Sequence, residues 1–148
     1  MATPRHLHAS EGDGLCRPLS NGQHAMDRVY LTRDSVAAGD DFDAPHVRQL
    51  NVPACDTALA LVEEILKEHY LPNITGGRAT WVVSSHQPFA VCAQEWPRPK
   101  ELGLPIPMTA LATKGGDIRL HFSYIGQIEP KVVHDVLWRC TFDAASVD

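Results

Sequence analysis

The 148-residue chain contains no uninterrupted apolar run near the roughly 18 to 20 residues that a bilayer-spanning helix requires. Its amino terminus has no apolar signal-peptide core, because His6, His8, Glu11 and Asp13 interrupt it. Positive charge is also scarce. Thirteen Lys and Arg face eighteen Asp and Glu, for a net charge of −5, which disfavours nucleic acid or an anionic membrane as the main partner. A partner protein with a basic surface suits that sign better. The four cysteines, Cys16, Cys55, Cys92 and Cys140, form no Cys-x-x-Cys pair. That absence argues against a zinc module and favours a reduced, cytoplasmic protein with unpaired thiols. Gly76-Gly77 and Gly115-Gly116 are isolated pairs without the spacing of a phosphate-binding loop. No Gly-x-Ser-x-Gly elbow supports Ser84-Ser85-His86 as a nucleophile–base pair, and adjacent strand residues point to opposite faces.

What is present is the composition of one globular domain, 44% hydrophobic and 21% charged. Residues 1–27 hold glycine, proline, serine and histidine without apolar periodicity and read as a flexible extension, with Met26 a candidate natural start. His6, His8, Cys16 and His24 in that stretch match no zinc spacing. Residues 28–142 read as a single α+β domain, and 143–148 as a flexible tail. Val29 to Arg33 is rich in β-formers, and from Val47 to Val52 apolar and polar residues alternate, ending at Pro53. Thr57 to Tyr70 shows the three- and four-residue spacing of an amphipathic helix, with Asp56 as candidate N-cap and His69 placed to favour the C-terminal dipole. Ala79 to Ser85 and Phe89 to Trp96 form a hairpin whose continuous apolar character predicts strands covered on both faces. Four prolines, from Pro97 to Pro107, predict an extended connection. Ile118 to Tyr124 alternates as a half-buried strand. Pro130 opens a helix over Lys131 to Cys140, with Val132, Val133, Val136, Leu137 and Cys140 at helical spacing. The expectation is a mixed β-sheet with one main helix packed across it. Its strand-strand-helix-strand-strand order is β-grasp-like, followed by a further strand and a C-terminal helix.

Chemistry concentrates in Gly39-Asp40-Asp41-Phe42-Asp43-Ala44-Pro45-His46, with Asp34 upstream. Carboxylates there could ligate a hard cation, and His46 could act as a general base. The spacing misses the calcium loop, which ends in a glutamate. The expectation is therefore a contact surface, with neither metal nor cofactor and no catalytic residue assigned. Trp96, before Pro97-Arg98-Pro99-Lys100, has the composition of an interface hot spot or of a rim residue covering the core.

The strand–loop from Val29 to His46 with its Asp run, and Gly76-Gly77-Arg78-Ala79-Thr80-Trp81 after the helix, resemble in general style the small immunity proteins of bacterial toxin–immunity systems. That resemblance implies a non-catalytic protein-binding module that occludes a basic toxin or nuclease surface. The residues expected to meet it are Asp34, Asp40, Asp41, Asp43, His46, Trp96 and Arg98. The alternative is a small metal-assisted hydrolase built on Asp40, Asp41, Asp43 and His46, with His86 or His121 brought near by the fold. A ubiquitin-like modifier is disfavoured, because the tail to Asp148 lacks Gly-Gly.

Overall fold

A computed structural model describes residues 26–37, 39, 41, 45–113 and 115–145. The described chain runs β1 (Met26–Arg33), β2 (Val47–Pro53), α1 (Ala58–Lys67), β3 (Thr80–Ser84), β4 (Pro88–Ala93), β5 (Lys100–Glu101), β6 (Ile118–Tyr124) and α2 (Pro130–Ala145), with a 3-10 turn at Met108–Ala110. One mixed sheet has the order β2-β1-β6-β3-β4-β5. β1 and β6 are parallel at its centre, and the other pairings are antiparallel. The expected α+β architecture is what forms. The connection after Trp96 is less plain than its prolines predict, since it adds the edge strand β5 and the 3-10 turn.

The period-two alternation of the strands divides the sheet's two faces. Val29 and Leu31 of β1, Ile118, Leu120 and Phe122 of β6, and Trp81 and Val83 of β3 point to one side and are buried there. Leu61, Val62 and Ile65 of α1 join that core cluster. Tyr70 closes it, with its ring edge-on to Phe122 at 5.5 Å between centroids. On the opposite face Val82 and Val91 form a second cluster with Leu102, against which Val133 and Leu137 of α2 pack. β3 and β4 are thus covered on both faces, as their apolar runs predict.

Several local expectations are corrected. The N-cap of α1 is Thr57, not Asp56: the Thr57 hydroxyl accepts from the Ala60 N–H at 3.2 Å. The helix stops at Lys67, and His69 takes the left-handed conformation (φ 52°) that turns the chain back. His69 therefore ends the helix by its backbone. In α2, Val132 and Val136 are 50% and 55% exposed, because the helix meets the sheet through Val133 and Leu137. Cys140 is exposed as well. Cys55 is disulfide-bonded, which departs from the unpaired thiols expected of it, whereas Cys92 and Cys140 are free. Burial in apolar surroundings pushes the Cys92 thiol up to about 12. No helix among the described residues is long and apolar enough to cross a membrane.

Candidate functional site: the charged corner at the end of β1

Alternation along β1 puts Val29, Leu31 and Arg33 on the α1 side of the sheet and Thr32 on the other. Arg33 is therefore a cation on a buried face, only 4% exposed. Such a group is tolerated only where every donor is used. Its Nε donates to the Pro45 carbonyl at 3.0 Å, one terminal nitrogen donates to the Asp34 carbonyl at 3.0 Å, and the other lies 2.5 Å from Asp41 Oδ1. The guanidinium thus ties the strand end to both the middle and the exit of the loop that follows.

Asp41 is held from three sides. Besides Arg33, its Oδ2 lies 2.9 Å from His46 Nε2 and accepts from the Val36 N–H at 3.4 Å. Burial alone would push its carboxyl up. The Arg33 guanidinium outweighs that, with help from Val36 and His46, and holds Asp41 below its ordinary value. His46 is further placed by Ser35, whose Oγ is 3.4 Å from His46 Nδ1. The Tyr70 hydroxyl donates to the His46 carbonyl at 2.8 Å, which anchors the loop exit to the residue that follows α1. Desolvation raises the Tyr70 phenol to about 12.

The loop's entry is pinned on the opposite face. His121 of β6 stands beside Thr32 in the parallel register. Its Nδ1 is 2.7 Å from Thr32 Oγ1, and its Nε2 is 3.0 Å from Asp34 Oδ1. Asp34 Oδ2 also accepts the Tyr124 N–H at 3.0 Å. The described residues Asp34, Asp41, Pro45 and His46 are therefore held at the end of β1, outside by His121 and inside by Arg33 and Tyr70.

Of the residues expected to act, the structure brings Asp34, Asp41 and His46 into this one corner. Asp40 and Asp43 lie outside the described residues. Trp96 and Arg98 follow β4, three strands across the sheet from β1, and do not join the corner. Trp96 is half-buried against the second core cluster, with Lys100 Nζ 4.3 Å above its ring, and Arg98 is exposed. Trp96 is thus a rim residue over the core. His86 belongs to the β3–β4 hairpin and does not join the corner, whereas His121 does.

Arg33, Thr32, Ser35 and Tyr70 were absent from the expected set. For Arg33 a signal existed: it continues the buried alternation of Val29 and Leu31. Chemically, both hydroxyl–imidazole–carboxylate strings have the bonding order of a nucleophile-activating relay. Here the carboxylates also carry backbone and guanidinium partners, so the strings act as latches on Asp34, Asp41 and His46. No group of three or more His, Cys, Asp or Glu side chains among the described residues is arranged to hold a metal ion. The chain was compared with known protein families, curated proteins and solved structures, and nothing matches in any of the three.

Proposed function

We propose that this protein is a protein-binding module that presents the Asp34–His46 loop as a preorganised acidic surface to a basic partner. The observation that carries this reading is the double latching of the loop by Arg33, His46, Tyr70 and His121. Asp34, Asp41 and His46, already held by their partners, lose little conformational entropy on association. Its charge remains negative, since Arg33 offsets one of the four carboxylates Asp34, Asp40, Asp41 and Asp43. That excess would steer a cationic protein toward the corner and suppress acidic competitors. The finer form of the proposal is an immunity-type inhibitor that occludes a basic toxin or nuclease surface.

The latches determine which residues can be tested cleanly. Asp34 and Asp41 hold the loop together, so changing them confounds structure with contact. Asp40→Asn/Asp43→Asn alters charge without removing a described bond. Capture from native extract should recover the same partner with wild type and, more weakly, with this double variant, and the difference should shrink at high salt. Equal recovery at every salt concentration would remove the acidic loop from the interface.

The rival reading, a metal-assisted hydrolase, draws on the adjacency of Asp41 and His46 at 2.9 Å. A cation there would have to compete with Arg33 for Asp41 and with the ion pair for His46. Saturable stabilisation by Mg, Ca, Mn or Zn, abolished by His46→Ala, would favour that reading over the first.

A further inference from the structure

A concave pocket of about 470 Å³ lies between the β3–β4 hairpin, the connection from Leu102 to Leu111 and Thr141 of α2, and it shares no described lining residue with the acidic corner. That volume lies within the range of small-molecule sites. Its floor is core-grade: Phe89, Leu102 and Leu111 are 3%, 6% and 4% exposed. Its rim is different in kind. The pairing of β3 with β4 shifts register between Val83 and Ser84, an irregularity of the sort that re-aims the residues after it. Ser85, His86 and Gln87 follow and line the pocket mouth. A hydroxyl, an imidazole and a primary amide can all donate hydrogen bonds. No Asp or Glu is among the described residues that line the cavity, although the chain carries eighteen of them and a net charge of −5. An anionic group can therefore sit here without meeting a carboxylate from the described wall.

The mouth also holds an apolar side chain left in water. Leu104 is 84% exposed and lines the same pocket. It follows Gly103, whose φ of +111° is one that residues with a Cβ rarely adopt. A bound apolar body would give Leu104 a surface to cover.

We propose that this pocket binds a small monocarboxylic acid. Its apolar or aromatic body would lie on Phe89, Leu102 and Leu111, and its carboxylate would accept hydrogen bonds from His86 and Gln87. The class follows from the pairing of a buried apolar floor with a rim of donors, with no acidic side chain among the described lining residues. This site is independent of the acidic corner and would stand if that reading failed.

The probe is 4-phenylbutyrate, titrated into the full-length protein and followed by amide chemical shifts, with 4-phenylbutanol as the control lacking a carboxylate. A ligand of this size should bind with a Kd on the order of 1 mM. Saturable shifts should be confined to residues 85–89 and 102–111 and to the end of α2 around Thr141. His86→Ala/Gln87→Ala, on an exposed turn, should weaken the acid about tenfold and leave the alcohol unchanged. Ala110→Phe, which fills the cavity from an exposed position, should remove binding of both. The proposal is overturned by an absence of saturable shifts, by unchanged acid affinity in the hairpin double variant, or by wild-type binding in a folded Ala110→Phe protein.

Discussion

Replacing Arg33 by methionine removes the charge while keeping a long side chain on the buried face of β1. Three interactions disappear together: the 3.0 Å bonds to the Pro45 and Asp34 carbonyls and the contact with Asp41. Net hydrogen bonds contribute roughly 0.5 to 1.5 kcal/mol each, and stranding one member of a buried ion pair costs more. His46 and Val36 still hold Asp41, so the sum is best placed on the order of 2 to 4 kcal/mol. Against a typical stability of about 5 to 15 kcal/mol, that is a large fraction. Urea unfolding followed by tryptophan fluorescence reads it directly, because Trp81 is 1% exposed and sits in the same core. Arg33→Lys should fall between wild type and Arg33→Met, since an ammonium keeps the charge but cannot reach three acceptors in a fixed fork. If Arg33→Met loses less than about 0.5 kcal/mol, the guanidinium is not the strut described here.

The acid response should follow the same pair. Asp41 titrates below its ordinary value when folded, so its contribution is present at neutral pH and is lost as pH falls through and below the usual carboxylate range. Urea midpoints at about pH 7 and about pH 3 should therefore converge in Arg33→Met relative to wild type, and an unchanged gap would contradict that assignment. Tyr70→Phe keeps the edge contact with Phe122 but leaves the His46 carbonyl without its donor; a loss of about 1 to 2 kcal/mol in urea unfolding is expected. Ultraviolet titration of wild type should show the Tyr70 phenol ionising only near 12, and its ionisation at the ordinary phenol value of about 10 would refute its burial. Thr57→Ala should destabilise by about 1 kcal/mol through loss of the α1 cap, whereas Asp56→Ala should not, measured by thermal unfolding. Thiol labelling of the folded protein should modify Cys140 quickly and Cys92 only on unfolding; rapid labelling of both would contradict the packing of β4.

Much of the fold was legible because its signals are periodic. The alternation of Ile118, Leu120 and Phe122, the helical spacing of Ala58, Val62 and Ile65, and the unbroken apolar hairpin each admit one burial pattern. Where reading failed, the deciding contact was long-range. Asp56 is as good a cap as Thr57 by type. The Asp56 carbonyl accepts the Met108 N–H and Thr57 bridges Pro107, which sets the start of α1. Val132 and Val136 share helical spacing with Val133 and Leu137, and only the angle at which α2 meets β3 and β4 decides which pair is covered.

The candidate site was half legible. The Asp34-to-His46 segment stood out by composition, but composition describes charges and not what satisfies them. Thr32 and His121 are 89 residues apart and meet only through the parallel pairing of β1 and β6. Arg33 could have been found by extending the β1 alternation one step further. A charged residue at a strand end reads as solvated unless its face is followed through.

The proposed function requires that the acidic loop recruit a basic partner through charge. Association kinetics of the captured partner, measured over a range of ionic strength with wild type and Asp40→Asn/Asp43→Asn, test it most directly. The account predicts a lower association rate and a shallower salt dependence for the double variant, with the dissociation rate little changed. Identical association rates and salt dependence in the two proteins would contradict it.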